Sequence, residues 1–214
     1  MASHAGLVQR LIPPLSNAWR KGQQENVLSY VVAKVRISGR DIGVGIVGCV
    51  GVVGGSFEYT GAPFYAGISA LKTGADLCHI FCTQEAATPI KSYSPELIVH
   101  PLLRSDASLR QISFGDRDSV LRAAVDRVVQ VFPRLDVLVL GPGLGRDQAV
   151  QSIAEALIGR ARDAQLPVVL DGDALFLTSQ NPEIIRGYTH AVLTPNAVLD
   201  HCADIGAIVD ALTL

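Results

Sequence analysis

The sequence predicts an α/β fold whose mainly parallel sheet is covered by helices on both faces. Short runs of apolar, often β-branched residues recur without polar alternation, which is typical of strands that are buried on both faces. Helical patterns separate these runs, and an alternation of strand and helix favours parallel pairing. Because the 214 residues are 49% hydrophobic, we expect one substantial core and a single domain over residues 1–214.

The predicted elements follow one another in a regular order. Strands are predicted at residues 44–47, 51–53, 77–81, 97–99, 137–140, 168–170 and 191–193. Helices are predicted at 66–73, 119–132 and 149–164, with a weaker one at 182–186. In the first helix, Ala66, Ser69 and Ala70 are small residues at helical spacing, so this helix is expected to lie close against the sheet.

Charge and hydropathy exclude some classes of partner. Eighteen basic and twenty acidic residues give a net charge of −2, which offers no general attraction for nucleic acid or for an anionic membrane. The apolar stretch at 42–55 is shorter than a membrane span and rich in glycine, so it is interpreted as strand and turn. We therefore expect a cytoplasmic protein, with organellar targeting left open.

The four cysteines are Cys49, Cys78, Cys82 and Cys202, and no two have the CxxC spacing of a zinc site. They are interpreted as buried thiols in a reducing compartment. A metal site at Cys78 and Cys82, with His79 between them, is the less favoured alternative.

The turn at 54–63 follows an apolar strand and precedes a helix. Paired glycines there would let backbone amides approach a ligand, while Glu58, Tyr59 and Thr60 offer a carboxylate, a stacking ring and a hydroxyl. The alternative is a plain turn in which Thr60 caps the helix and Glu58 is solvated.

A second glycine loop, 141–145, follows the strand at 137–140. Its glycines, Gly143 and Gly145 among them, would let the phosphates of a ligand approach the start of the next helix, which Asp147 is suited to cap. A simple turn explains this pattern equally well, because the loop lacks the spacing of known phosphate-binding fingerprints.

Polar residues also follow the last two strands. Asp171 and Asp173 come after the strand at 168–170. The strand at 191–193 is followed by the segment 194–196, which ends in Asn196. A turn or helix cap is the more common role for such an aspartate pair. Because the carboxyl ends of parallel strands share one edge, the four loops at 54–63, 141–145, 171–173 and 194–196 are expected to converge on a common ligand cleft.

Several of these segments together resemble one family. Three long stretches resemble the eukaryotic ATP-dependent (S)-NAD(P)H-hydrate dehydratases, namely 54–63, 68–77 and 92–101. Five shorter segments resemble the same family, namely 11–16, 21–23, 141–147, 171–173 and 194–196. The resemblance covers roughly residues 11–23 and 51–196, in the order and with about the spacing of the family.

The resemblance implies a ribokinase-like fold and the repair of hydrated NADH or NADPH (NADHX or NADPHX). It implies ATP as co-substrate, Mg²⁺, and an NAD(P)H-hydrate epimerase as functional partner. The substrate-binding residues that it implies are Glu58, Tyr59, Thr60, Gly143, Gly145, Asp171, Asp173 and Asn196.

The sequence departs from the family in three places. Residues 24–50 match nothing in it and are interpreted as an atypical insert, and Leu199 stands where the family has a glutamate. The C-terminal part of the family, which supplies most of its nucleotide pocket and the Gly-x-Gly-Asp turn with the catalytic base, has no counterpart in this sequence. No catalytic residue is therefore assigned, and neither a cofactor-binding nor a metal-binding residue.

We interpret the fold as C-terminally truncated, which predicts poor solubility or self-association into a homo-oligomer through an exposed sheet edge. Two alternative functions stay open. One is an inactive form that only binds nucleotide, and the other is a ribokinase-like small-molecule kinase.

Overall fold

The computed structural model describes residues 48–195. The predicted strand at 44–47, nearly all of the proposed insert, Cys202 and Asn196 lie outside this range. Within it, six strands form one sheet in which every neighbouring pair is parallel. The strands are β1 (Cys49–Val53), β2 (Leu77–Thr83), β3 (Ile98–Leu103), β4 (Val137–Leu140), β5 (Val168–Asp171) and β6 (Ala191–Thr194).

Helices connect successive strands in the described part of the chain. They are α1 (Gly61–Lys72), α2 (Gln84–Tyr93), α3 (Asp106–Leu109), α4 (Arg117–Val129), α5 (Gln148–Asp163) and α6 (Asp173–Gln180). Short 3-10 turns occupy Phe114–Asp116, Phe132–Arg134 and Pro182–Ile185. None of the helices between residues 48 and 195 has the length and apolarity needed to cross a bilayer.

The strand order is β3-β2-β1-β4-β5-β6. The chain therefore moves outward from β1 in one direction through β2 and β3, then returns and moves outward from β4 in the other direction. The point where the order reverses lies between β1 and β4. In open parallel sheets, ligands bind at the carboxyl ends of the strands beside such a reversal.

Two apolar clusters cover the two faces of the sheet. On one face, Ala70 of α1 and Ile90 of α2 pack on alternate strand residues such as Val52 and Ile80. On the other face, α4, α5 and α6 pack on the intervening residues, with Ile153 and Leu157 of α5 fully buried. The core is thus two layers of side chains divided by the sheet, and the prediction of helices on both faces is confirmed.

The six predicted strands that fall in the described range are all present. β1 begins at Cys49, so Cys49 and Val50, assigned to the insert from sequence, pair with Leu77 and Cys78 of β2. Three helices of the described range were not predicted, α2, α3 and α6. In α1, Gly67 lies close against the sheet, since an added Cβ would lie 3.1 Å from Sγ of Cys78.

Candidate active site at the carboxyl edge of the sheet

The loops that follow β1 and β4 flank the reversal of strand order and touch each other. The amide of Gly55 donates to the carbonyl of Gly143 at 3.1 Å, and the hydroxyl of Ser56 donates to the same carbonyl at 3.2 Å. Ser56 is buried, so this hydroxyl is a structural link between the loops. The two glycine turns therefore form one continuous surface at the edge of the sheet.

Two glycines of the second loop are required by the packing of neighbouring backbone. At Gly141 (φ +116°), an added Cβ would lie 1.8 Å from the carbonyl oxygen of Asp171. At Gly143 (φ +59°), it would lie 2.8 Å from Cβ of Tyr59. These glycines bring three loops together, whereas the sequence analysis explained them by the approach of a ligand's phosphates.

The loop after β5 is joined to its neighbours on both sides. Oδ2 of Asp173 accepts a 2.8 Å hydrogen bond from the amide of Gly145, and the hydroxyl of Thr194 lies 2.7 Å from Oδ1 of Asp171. Asp173 is the first residue of α6. Each aspartate thus holds an adjacent loop, and both side chains are partly exposed.

Glu58, Tyr59 and Thr60 lie on the outer side of the first loop. Glu58 is exposed, and Tyr59 exposes 56% of its surface, which leaves its ring available for stacking. Thr60 occupies the N-cap position of α1, yet its hydroxyl makes no capping bond and lies 2.8 Å from the hydroxyl of Tyr93 at the end of α2.

Asp147 caps α5, as the sequence predicted. Its carboxylate accepts from the amide of Val150 and also from the amide of Asp106, at 2.9 Å for the shorter of two contacts. Oε1 of Glu85 in turn accepts from the hydroxyl of Ser105 at 3.0 Å. The loops after β2 and β3 are therefore tied to the same edge as the glycine loops.

The contacts confirm that 54–60, 141–147 and 171–173 lie together with Thr194, and we call this surface the rim. The convergence predicted from sequence is correct for these loops. Asn196 lies outside the described residues. The substrate-binding roles of Glu58, Tyr59, Thr60, Gly143, Gly145, Asp171 and Asp173 remain predictions, because the structure carries no ligand.

The cysteines of β2 are buried thiols. Cys78 and Cys82 point to one face of the sheet, and His79 alternates to the other, so the three do not form a common ligand set. Burial raises the pKa of both thiols to about 12, which keeps them protonated and unreactive. No group of three or more metal-binding side chains was found among residues 48–195.

Three side chains in or beside the rim were not identified from the sequence. Ser56 was quoted only as part of a turn, Tyr93 only as part of the stretch 92–101, and Arg146 was given no role. Of these, the position of Arg146 between a glycine loop and a helix start was the only signal that pointed to a binding site. The contacts of Ser56 and Tyr93 join residues far apart in sequence and could not be read from it.

The doubly wound parallel sheet, with loops converging at its reversal point, defines an α/β protein of the open-sheet class that binds its ligands at the carboxyl edge. A ribokinase-like superfamily protein from Enterococcus faecalis superposes with a TM-score of 0.54 at 22% identity, over 78% of this chain and 52% of that one. At this identity the likeness concerns the fold alone.

The profile of the NAD(P)H-hydrate dehydratase family matches residues 50–198, and the chain belongs to this family. It is 43% identical to the ATP-dependent (S)-NAD(P)H-hydrate dehydratase of Batrachochytrium dendrobatidis over 188 residues, which are 88% of this chain and 52% of the relative. Against the Bos taurus protein of the same name it is 43% identical over 198 residues, 92% of this chain and 48% of the relative. The chain thus spans about half the length of the curated relatives it matches.

Proposed function

We propose that this chain binds the S form of hydrated NADH or NADPH at the rim and takes part in its ATP-dependent dehydration. Family membership supports this proposal, since the match runs through every strand and loop that builds the rim. The main structural support is that the glycine loops after β1 and β4 contact each other at the reversal of strand order, where open parallel sheets bind ligands.

The chemistry explains why the reaction would consume ATP. Hydroxide is a poor leaving group at neutral pH, and phosphate is a good one. Transfer of the γ-phosphoryl group of ATP to the ring hydroxyl releases ADP. Cleavage of the carbon–oxygen bond then releases phosphate, and loss of a proton from the neighbouring carbon restores the ring double bond. Residues at the rim would orient the hydrated ring for these steps.

Magnesium fits this arrangement as a companion of ATP. Asp171 and Asp173 are carboxylates at the rim, and oxygen is the ligand that Mg²⁺ prefers. Because one oxygen of each is engaged by a neighbouring loop, these two residues would supply few ligands. Mg²⁺ commonly takes one or two carboxylates together with substrate phosphates and water, and would offset the charge of the phosphates here.

The cellular setting is also part of the proposal. An epimerase that converts the R hydrate into the S form would supply the substrate. A reducing compartment such as the cytoplasm suits a chain in which the three described cysteines are buried and unpaired. Self-association into a homo-oligomer stays a prediction.

The test combines a binding measurement with an activity measurement. The purified chain is titrated calorimetrically with (S)-NADHX and with the R epimer, and recovery of the dihydronicotinamide absorbance is followed after ATP and Mg²⁺ are added. We expect the chain to bind the S form more tightly, and any recovery of absorbance to require ATP. If the chain bound neither epimer, the proposal would be contradicted.

A matched pair of variants locates the site. Tyr59→Ala removes an exposed ring from the rim, and Tyr65→Ala removes one, 68% exposed, from α1. We expect Tyr59→Ala to weaken hydrate binding roughly 5- to 30-fold, through loss of stacking, and Tyr65→Ala to leave it unchanged. If both variants weakened hydrate binding equally, the ligand would not lie at Tyr59.

A further inference from the structure

Arg146 lies over an aromatic ring at the rim. It directly follows Gly145, and its guanidinium carbon lies 4.1 Å from the ring centroid of Phe176 in α6. Arg146 is exposed, whereas Phe176 is half-buried. Stacking on the ring fixes one face of the guanidinium group and leaves the donors at its edge free to bind a ligand.

The guanidinium group has no acidic partner among residues 48–195, in which the ion pairs are formed by other arginines. Two carboxylates of the rim are engaged by backbone amides. Asp147 accepts from Val150 and Asp106, and Asp173 accepts from Gly145. The donors of Arg146 are therefore available for an external anion.

The charge at the rim gives that anion a reason to bind at Arg146. Glu58, Asp147, Asp171 and Asp173 place four carboxylates on the loops that meet there, and these would repel a phosphate-bearing ligand. In the stretches 54–60, 141–147 and 171–173, Arg146 is the only lysine or arginine. A stacked guanidinium matches phosphate because its parallel N–H donors can bind two oxygens of one group.

We propose that Arg146, stacked on Phe176, binds the phosphate groups of a nucleotide at the rim. The proposal rests on the proposed function, which offers two sources of this chemistry, the pyrophosphate of the hydrated dinucleotide and the phosphates of ATP. Arg146 is a binding residue in either case.

The experiment measures dissociation constants of the full chain in two separate arms, (S)-NADHX without ATP and Mg-ATP without hydrate. Arg146→Gln is compared with Arg127→Gln, which removes an exposed arginine from the last turn of α4, away from the rim. We expect Arg146→Gln to weaken binding roughly 5- to 30-fold in the arm whose ligand carries the bound phosphate, and Arg127→Gln to change neither arm. The affected arm identifies the source.

Two further measurements separate binding from a structural role. Phe176→Leu keeps the charge of Arg146 and removes its support, so a smaller loss in the same arm is expected. The loss of nucleotide affinity caused by Arg146→Gln should shrink as salt is added. The thermal unfolding of the Arg146→Gln variant should match that of the unmodified chain. Nucleotide binding that is unchanged in Arg146→Gln overturns this inference alone. An unmodified chain that binds neither nucleotide overturns the proposed function and this inference with it.

Discussion

The amide of Gly145 donates a 2.8 Å hydrogen bond to Oδ2 of Asp173, across 28 positions of sequence. This bond joins the loop after β4 to the first turn of α6. Because its acceptor is a carboxylate and the contact is partly buried, it is stronger than an ordinary loop hydrogen bond. Asp173 therefore has a structural role at the rim in addition to the substrate-binding role predicted for it.

Removing the Asp173 carboxylate should destabilise the fold measurably. We expect Asp173→Ala to lower the free energy of unfolding by about 1–2 kcal/mol, because the amide of Gly145 loses its partner. Asp173→Asn keeps an accepting oxygen and should cost less. Urea denaturation measures both variants, with Asp163→Ala at the exposed end of α5 as control. An Asp173→Ala variant as stable as the control would show that the bond contributes nothing.

Gly141 should tolerate no side chain. Gly141→Ala places a Cβ 1.8 Å from the carbonyl oxygen of Asp171, at a φ of +116° that L-residues rarely adopt. We expect a loss of at least about 3 kcal/mol of stability, or no folded protein.

Gly159→Ala is the matched control for Gly141→Ala. Gly159 lies inside α5, and its added Cβ meets nothing within 4 Å. Alanine there should raise the free energy of unfolding by roughly 0.5–1 kcal/mol, because it is the better helix former. Equal unfolding midpoints for the two variants would refute the assigned packing.

Tyr93 should position the first loop of the rim through Thr60. Tyr93→Phe removes the hydroxyl that lies 2.8 Å from that of Thr60, and keeps the edge-to-face contact with Phe64, whose ring centroid is 5.2 Å away. We expect hydrate binding to weaken roughly 3- to 10-fold, since a hydrogen bond is worth about 1 kcal/mol net. The stability of the fold should change little, because this contact is exposed to solvent.

A double-mutant cycle with Thr60→Val tests the link directly. If the two hydroxyls act as one unit, the double variant should bind no more weakly than either single variant. Tyr65→Phe, which alters another exposed tyrosine of α1, serves as control. Additive losses would mean that Tyr93 does not act through Thr60.

The strands were predictable because a strand buried on both faces needs an unbroken apolar run, as at Val137–Leu140. α2 was not predicted, since it contains Pro89 and buries only Ala86, Ala87 and Ile90. α6 is only eight residues long and begins directly at Asp173, which the sequence placed in a loop. Short helices of this kind are stabilised by packing, which single-sequence patterns do not contain.

The convergence of the rim loops was predictable for a different reason. Every loop that follows a parallel strand ends at the same sheet edge, so their order along the chain sufficed. The individual contacts were not predictable. Thr60 meets Tyr93 across 33 positions, and which oxygen meets which donor depends on the packing of α1 against α2. The sequence could place the candidate site but could not assign its hydrogen bonds.

Acidification should destabilise the fold through a histidine pair on β2 and β3. Nδ1 of His79 lies 2.9 Å from Nε2 of His100, and the two nearly parallel rings lie edge to edge with centroids 5.2 Å apart. Burial lowers the pKa of both rings below 6.5. The charges of His100 and Arg134 lower the pKa of His79 further, and that of Lys91 lowers the pKa of His100 further. One nitrogen of the pair must accept the hydrogen bond that the other donates. When both rings are protonated every ring nitrogen is a donor, so this bond is lost.

The sign of the pH effect follows from the lowered pKa values. The unfolded chain binds protons at these histidines more readily than the folded chain, so their contribution to stability is complete above about pH 6.5 and is lost as the pH falls through the folded pKa values. The melting temperature should therefore fall by several degrees between about pH 7.5 and pH 5.5. In His100→Phe, which keeps an aromatic ring without a titrating group, this fall should be smaller. His190→Gln, at an exposed histidine, should retain it, and a His100→Phe profile that parallels the unmodified chain would assign the acid sensitivity to other groups.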